Sequence, residues 1–207
     1  KEGISDNLIL VTGNTSIDNL RQHLAHRADE DSLWKSGDQT QVLVTVHRRE
    51  NLGEPIHSGA RAVRALSAHF PHYLFLVPHH PNPQVKVALE RELNRLPNVI
   101  LRPSLSYSET VEAIRNSVLI LTDSGGLQEE ACFLGRFCLV LRNNTERSES
   151  ITEGVSRLLG TETEEIFEQV AGFLANSKPE FRKQARLSFG DGYAAEKIVA
   201  ELRDHVI

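Results

Sequence analysis

The feature that most constrains the fold is a series of short apolar runs that alternate along the chain with helical patterns. The runs are rich in β-branched residues and continuously apolar, which is typical of strands buried on both faces of a sheet. They comprise residues 8–12, 41–46, 73–78, 98–102, 118–123 and 137–142. The helical patterns between them cover residues 15–28, 55–69, 83–95, 107–116 and 125–134. This order predicts an α/β fold with a parallel sheet covered by helices on both faces.

The pattern changes after residue 142. A polar loop is followed by three further segments with helical character, at 162–175, 178–186 and 191–205. Gly190 and Gly192 separate the last two of these segments, since glycine interrupts a helix. We expect the terminal helices to cap the sheet or to reach towards a second domain.

Length and charge narrow the classes of protein. At 207 residues the chain can bury one substantial core, so a single domain is the simplest expectation. A net charge of -5, with basic residues scattered along the chain, argues against a nucleic-acid partner. No apolar run approaches the roughly 20 residues needed to cross a bilayer, and the first residues lack the apolar core of a signal peptide. We therefore expect no membrane association and a cytoplasmic location.

Cysteine and methionine content adds further expectations. Cys132 and Cys138 lie close together without the CxxC spacing of a metal site, so we expect reduced, packed thiols. We predict neither a metal nor a cofactor. The chain contains no methionine, even at position 1, so we expect it to be part of a longer protein.

The sequence DSGG, residues 123–126, ends one apolar run and begins a helix. Ser124 can cap that helix, and glycines at 125 and 126 let an anion approach backbone N–H groups that have no partner inside the helix. In an open parallel sheet, ligands bind beyond the carboxyl ends of the strands, where this segment falls. The segment therefore predicts a diphosphate at Gly125 and Gly126.

Two glutamates, Glu129 and Glu130, follow in the first turns of the same helix. They cannot both face a phosphate without repulsion, whereas a carboxylate there can accept hydrogen bonds from ribose hydroxyls. We therefore predict a nucleotide whose ribose lies near Glu130. The alternative is an ordinary capped turn, in which the glutamates merely suit a helix N-terminus.

The sequence HRREN, residues 47–51, directly follows another buried run and would form an electropositive cluster at the same end of the sheet. His47 could donate a hydrogen bond to a phosphate or act as an acid–base group near neutral pH. The alternative is a solvated basic turn, with Glu50 paired to Arg48 or Arg49.

Two other turns carry cationic groups. His79 and His80 lie in a turn that three prolines make rigid, and adjacent histidines rarely bind one metal together. Arg147 could neutralise a second phosphate oxygen, or it could form a surface pair with Glu146 or Glu149.

Taken together, these motifs resemble the C-terminal domain of the non-hydrolysing UDP-N-acetylglucosamine 2-epimerases. The matching segments, in family order and spacing, are VTGNTSID (11–18), VTVHRREN (44–51), PHHPNP (78–83), LTDSGGLQEEA (121–131) and LRNNTER (141–147). The chain departs from the family where it reads TERSE for TERPE, EEAC for EEAP and GRF for GKP. Thr110 also replaces a frequent aromatic residue near the uracil.

The resemblance implies two Rossmann-like domains that face a cleft, the glycosyltransferase B arrangement. Residues 1–207 would be the C-terminal, UDP-binding domain, the N-terminal domain would be absent, and the terminal helix at 187–207 would pack towards it. The implied reaction interconverts UDP-GlcNAc and UDP-ManNAc by eliminating UDP to form 2-acetamidoglucal and then adding it back. This half alone would be inactive, and the full-length protein would be a homodimer.

The resemblance also implies roles for individual residues. The carboxylates that move the C2 proton would belong to the N-terminal domain, and His47 would stabilise the departing UDP. The UDP-binding residues would be Ser124, Gly125 and Gly126 at the diphosphate, Glu130 at the ribose, Arg147 at the phosphate, and Leu105 and Thr110 at the uracil. Arg48 and His80 would belong to an allosteric UDP-GlcNAc site.

Two other functions fit the same motifs. A glycosyltransferase of this two-domain architecture would bind the diphosphate of its donor in a similar way. A non-catalytic sensor of sugar nucleotides would keep the binding site and regulate a partner instead.

Overall fold

The computed structural model describes residues 3–26, 40–176 and 187–206. They fall into two compact units, a smaller one within Lys1–Glu30 and Leu187–Ile207 and a larger one within Asp31–Arg186. In these described ranges, no helix combines the length and apolar character that crossing a lipid bilayer requires.

The described residues of the larger unit form a six-stranded, fully parallel sheet in the order β3-β2-β1-β4-β5-β6. The strands are β1 (Thr40–Thr45), β2 (Tyr73–His79), β3 (Val99–Pro103), β4 (Ser117–Thr122), β5 (Cys138–Val140) and β6 (Ser156–Leu158). The order reverses between β1 and β4, which makes this a doubly wound, Rossmann-like sheet. Five of the predicted strands are confirmed, and β6 was missed because three residues are too few to show periodicity.

The helices that the structure describes run from α1 to α8. They are α1 (Thr15–His26), α2 (Glu54–His69), α3 (Pro83–Leu93), α4 (Tyr107–Asn116), α5 (Gly125–Phe133), α6 (Ser148–Thr152), α7 (Thr163–Asn176) and α8 (Ala194–Val206). The predicted helix at 178–186 and the last two residues of the one at 15–28 lie outside the described residues. The five-residue helix α6 was not predicted.

Alternate residues of each strand face opposite layers of helices. Val42 and Val44 of β1 belong to a core that α2, α3 and α7 cover, while Leu43 belongs to a second core with residues of α4 and α5. Because both faces are buried, the central strands contain consecutive apolar residues, 42–44 in β1 and 118–121 in β4, with polar residues at the strand ends. The predicted helices on both faces of the sheet are confirmed.

The predicted strand at residues 8–12 is wrong. A short 3-10 helix, Asp6–Leu8, is followed by chain that pairs with none of the described strands. Leu8 and Val11 are 76% and 87% exposed. An apolar, β-branched run becomes a strand only where neighbours supply hydrogen bonds and cover, and this run has neither in the described structure.

The smaller unit joins α1 to the start of α8. Asp18 of α1 accepts hydrogen bonds from the backbone N–H groups of Ala194 at 2.9 Å and Ala195 at 2.6 Å, which caps α8 with a negative charge. Gly13 and Gly190 pack backbone to backbone: a Cβ on Gly13 would lie 2.8 Å from the Cα of Gly190. Both glycines also have positive φ, so a larger residue would suffer backbone strain as well as a steric clash.

Candidate nucleotide-binding site

The candidate site lies at the carboxyl ends of β1 and β4, the neighbouring strands between which the order reverses. At such a switch point the connections on either side turn away from each other and leave a crevice for a ligand. Thr45 and Thr122 pair in register across these strands, and their hydroxyl oxygens lie 2.6 Å apart. The loop after β1 and the turn after β4 therefore start side by side.

Asp123, directly after β4, anchors the loop that follows β1. Its side chain is fully buried, and its Oδ2 accepts hydrogen bonds from the backbone N–H groups of His47 at 2.9 Å and Arg48 at 2.8 Å. Asn51 Nδ2 donates to the same oxygen at 2.9 Å and to the carbonyl oxygen of Leu141 at 3.2 Å. A buried carboxylate requires several donors to replace its lost hydration. Asp123 thus holds the ends of β1, β4 and β5 together.

The N-terminus of α5 is open in the described structure. Ser124 occupies the N-cap position with an extended backbone, but its hydroxyl makes no cap hydrogen bond, so the predicted Ser124 cap is wrong. Its backbone N–H donates instead to Thr122 Oγ1 at 3.0 Å. A Cβ on Gly126 would meet no described atom within 4 Å. The first N–H groups of a helix have no acceptor within it, and in α5 Gly126 is exposed while Gly125 is buried.

Two loops bring charged groups to the side of this helix N-terminus. A Cβ on Gly125 would lie 3.1 Å from Glu146 Oε1 and 3.2 Å from Arg48 Nη2. Glu146 Oε1 accepts a hydrogen bond from Arg48 Nη2 at 2.9 Å, and Oε2 accepts one from Arg142 Nη1 at 2.7 Å. Arg147 Nη1 is 3.7 Å from Glu146 Oε1. Hydrogen bonds from its own backbone N–H and from Arg142 and Arg48 lower the pKa of Glu146 to about 2, so it is an anion at neutral pH.

The remaining ion pairs agree only in part with those expected from the sequence. Glu50 lies 2.8 Å from Arg142 Nε rather than beside Arg48, and the side chain of Arg49 is outside the described atoms. Arg147 donates through Nε to Glu129, which is buried with 3% of its side chain exposed. The predicted surface pair of Arg147 with Glu146 is present, while its predicted contact with phosphate stays a prediction.

A cavity of about 170 Å³ opens beside these loops. It is lined by Leu43, Thr45, His47, Pro78, His79, His80, Ser104, Leu105, Thr110 and Leu127. It therefore brings together His47, Leu105 and Thr110, which the resemblance assigned to the UDP site, and His80, which it assigned to an allosteric site. The rings of His47 and His80 stack with centroids 6.0 Å apart and planes 14° from parallel. Drug-sized ligands occupy about 300–1,000 Å³, so this cavity suits one part of a larger ligand, such as a base.

Glu130 lies within the same helix as the open N–H groups and is partly buried. Burial raises the pKa of its carboxyl to about 7, the charge on Glu129 adds to the shift, and a hydrogen bond with the Tyr107 hydroxyl opposes it. Glu129 and Glu130 therefore differ in chemistry although they are adjacent. Glu129 neutralises Arg147, whereas Glu130 exchanges its proton near neutral pH.

Three features of the site were missed in the sequence. Asp123 was not assigned a role, although an acidic residue directly after a continuously apolar strand is a usable signal. Asn51 pairs with Asp123, and Glu146 pairs with Arg48. The two members of each pair are far apart in the sequence, so no local pattern could predict the pairs. Among the described residues, no three His, Cys, Asp or Glu side chains are arranged to hold a metal ion.

The strand order defines a Rossmann-like α/β domain, and a cavity lies beside the point where the strand order reverses. The predicted fold class, one Rossmann-like half of a glycosyltransferase B arrangement, is confirmed by this sheet and by the solved structures it resembles. The chain belongs to the UDP-N-acetylglucosamine 2-epimerase family, whose family model matches residues 1–203.

Individual relatives agree with this assignment. The UDP-N-acetylglucosamine 2-epimerase of Bacillus subtilis is 38% identical over 207 residues, which cover 99% of this chain and 54% of that protein. The crystal structure of UDP-GlcNAc 2-epimerase from Neisseria meningitidis bound to UDP-GlcNAc has a TM-score of 0.91 at 33% identity, covering 99% of this chain and 57% of that one. The crystal structure of Methanocaldococcus jannaschii UDP-GlcNAc 2-epimerase in complex with UDP-GlcNAc and UDP has a TM-score of 0.84 at 31% identity. The match covers 98% of this chain and 57% of that one. The chain thus spans about half the length of the relatives it matches.

Proposed function

We propose that the chain is the UDP-binding half of a UDP-N-acetylglucosamine 2-epimerase, which interconverts UDP-GlcNAc and UDP-ManNAc by eliminating UDP and adding it back. The observation that carries this proposal is the open N-terminus of α5 at the switch point, with Arg147 and His47 on the neighbouring loops. Exposed N–H groups, a helix dipole and a guanidinium together form an anion site.

The diphosphate would bind at Ser124, Gly125 and Gly126. The Ser124 hydroxyl makes no cap hydrogen bond in the described structure and is therefore available to donate to a phosphate oxygen. The open space above Gly126 lets that oxygen reach the backbone, which a larger residue would obstruct. Arg147 would then exchange part of its contact with Glu129 and Glu146 for a contact with phosphate.

The uracil would occupy the cavity that Leu105 and Thr110 line, and the ribose would lie at Glu130. This arrangement is supported by Leu127, which lines the cavity from the first turn of α5. The proposed base and diphosphate sites therefore both adjoin the first turn of α5. Thr110 Oγ1 donates to the carbonyl oxygen of Ser106 at 2.8 Å, so this side chain would offer the base its methyl group and not a free hydroxyl.

His47 would stabilise the departing UDP from the wall between the cavity and the helix N-terminus. Arg48 and His80 would contribute to a second, allosteric site for UDP-GlcNAc. His80 stacks on His47 and Arg48 contacts Glu146 beside Gly125, so a ligand at that second site would touch groups that also face the first.

The smaller unit would contact the N-terminal half that the longer relatives possess. Several of its large apolar side chains are exposed in the described structure, and such surfaces commonly mark a protein interface. They are Ile4, Leu8, Ile9, Leu10, Val11, Leu187, Tyr193, Ile198, Val199 and Leu202.

Calorimetry with UDP tests the proposed binding. We expect Ser124→Ala or Glu130→Ala to weaken UDP binding by about 1–3 kcal/mol for each lost charged or buried hydrogen bond. Glu149→Gln, on the exposed face of α6, is the matched control and should leave the affinity unchanged. Lack of UDP binding by the chain, both alone and with an N-terminal half supplied, would contradict the proposal.

Turnover separates the proposed activity from its alternatives. With the N-terminal half supplied, UDP-GlcNAc and no acceptor, an epimerase forms UDP-ManNAc, which anion-exchange chromatography resolves. A glycosyltransferase of the same architecture forms none without an acceptor. A sensor binds UDP and turns over neither sugar nucleotide.

A further inference from the structure

We infer that Asp123 is a positioning residue that selects the tautomer and orientation of the His47 ring. The effect of Asp123 on UDP binding rests on the proposed function, in which His47 contacts the departing UDP. The effect of Asp123 on the His47 ring does not. The geometry itself belongs to the chain without any ligand, and it can be tested separately.

The two oxygens of Asp123 have different surroundings. Oδ2 accepts three hydrogen bonds, from the backbone N–H groups of His47 and Arg48 and from Asn51 Nδ2. Oδ1 is buried, has no hydrogen-bond partner among the described residues, and lies 3.5 Å from His47 Nδ1. A buried carboxylate oxygen that lacks a donor is costly, and a small rotation of the His47 ring would satisfy it.

His47 is suited to be that donor. Its backbone is already fixed by Asp123, and its side chain is 37% exposed and lines the cavity. Because Nδ1 and Nε2 lie on opposite sides of an imidazole ring, a ring held at Nδ1 presents Nε2 away from Asp123. The hydrogen bond at one nitrogen decides which tautomer the other presents.

The tautomer of His47 determines whether its Nε2 donates or accepts a hydrogen bond at the ligand. A neutral His47 that donates Nδ1–H to Asp123 presents Nε2 as an acceptor, and a protonated ring presents Nε2–H as a donor. In both states the same nitrogen faces away from the carboxylate. Asp123 would thus keep His47 aimed at the phosphate region without touching the substrate.

Replacing Asp123 by asparagine gives a decisive variant. The three donors around Oδ2 require an oxygen at that position, so the amide NH₂ group must occupy the Oδ1 position. That NH₂ group can only donate, and it would require His47 Nδ1 as an acceptor. Asp123→Asn should therefore convert neutral His47 from the Nδ1–H tautomer to the Nε2–H tautomer while preserving the size of the side chain.

Nitrogen NMR of the chain with ¹⁵N-labelled histidine measures this tautomer directly, with His47→Gln assigning the signals. At a pH where the ring is neutral we expect Nδ1–H in the parent chain and Nε2–H in Asp123→Asn. Asn51→Ser, which removes a donor from Oδ2 without facing His47, should keep Nδ1–H. An Nε2–H tautomer in the parent chain would overturn the inference even if Asp123→Asn fails to fold.

Measurement of UDP affinity tests the functional consequence of this positioning. We expect Asp123→Asn and His47→Gln each to lower the UDP affinity about tenfold, with little further loss in the double variant, because both remove one directed contact. Additive losses, or the same tautomer in both chains, would show that Asp123 acts only on the backbone. If the parent chain binds no UDP, the proposed function fails, while the tautomer measurement still decides this inference.

Discussion

Glu146 accepts a hydrogen bond from Arg48, with Oε1 and Nη2 2.9 Å apart, directly beside the first residue of α5. An anion of the protein itself therefore lies next to the helix N-terminus, where the proposed diphosphate would bind. The same carboxylate also holds Arg142 at 2.7 Å and is 3.7 Å from Arg147. In the proposed complex, the diphosphate would have to compete with Glu146 for Arg147.

Glu146→Gln should therefore strengthen UDP binding. The substitution keeps the shape of the side chain and releases the arginines from a carboxylate that is charged at neutral pH. Since the pairs are partly exposed, we expect an increase of about two- to fivefold in affinity by calorimetry, with uridine binding unchanged. Glu149→Gln, with the same change in charge, serves as the control. Weaker UDP binding by Glu146→Gln would mean that Glu146 organises the arginines for the ligand.

Gly126→Ala should separate stability from binding. A Cβ at this helical position meets no described atom, so alanine should stabilise α5 by about 0.5–1 kcal/mol in urea unfolding. The same methyl group would obstruct a phosphate oxygen, so we expect UDP affinity to fall about tenfold by loss of one charge-assisted hydrogen bond. Gly172→Ala in α7 meets equally open space and should stabilise the chain without affecting UDP. Equal UDP binding by both variants would remove Gly126 from the site.

Glu130 should make the stability of the chain depend on pH. Burial raises its pKa from the ordinary 4.5 to about 7, so the folded chain holds this proton more tightly than the unfolded chain. The tighter binding of this proton adds to the free energy of unfolding. This contribution of Glu130 is fully present below pH 4.5 and is lost as the pH rises to about 7, by up to about 3 kcal/mol.

The comparison that tests this is urea unfolding of the parent chain and Glu130→Gln across the same pH window. Glutamine cannot ionise, so the variant should gain stability over the parent as the pH rises. Tyr107 and Glu129 face the same carboxyl and are unchanged in both chains. Parallel stability curves would show that Glu130 titrates at its ordinary pKa.

Asp18→Ala should destabilise the smaller unit. The carboxylate accepts from the first two N–H groups of α8, and loss of such a cap costs about 0.5–2 kcal/mol. We expect faster hydrogen exchange at the start of α8, measured by NMR. Asp6→Ala, on the exposed 3-10 helix, removes an equal charge and should leave that exchange unchanged. Unaltered exchange in Asp18→Ala would show that α8 is held by other contacts.

The strands and helices of the larger unit could be predicted where burial and local chemistry coincide. β1, β2 and β4 each contain several consecutive apolar residues because helices cover both faces, and that pattern is visible without the fold. The capping box of Ser106 and Glu109 likewise marks the start of α4 within four residues of sequence. The run at 8–12 is equally apolar and β-branched but is not a strand, since hydropathy alone does not show whether a neighbouring strand is available for pairing.

For the candidate site, sequence alone predicted which segments lie at strand ends but not which side chains pair with each other. The segment beginning at Ser124 and the basic segment beginning at His47 were both predicted to follow strands, and the sheet brings them to one switch point. That Glu50 pairs with Arg142 depends on distances set by strand order, which no window of sequence contains.

The amino-acid sequence by itself determined the alternation of strands and helices, the DSGG turn and the family resemblance, because each depends on neighbours along the chain. Only the tertiary structure decided that Ser124 leaves its helix uncapped and that Asp123 is buried against His47, 76 residues away. Hydrogen bonds and ion pairs between distant segments require the sheet to place their strands side by side. Their geometry is therefore a property of packing, which local sequence does not encode.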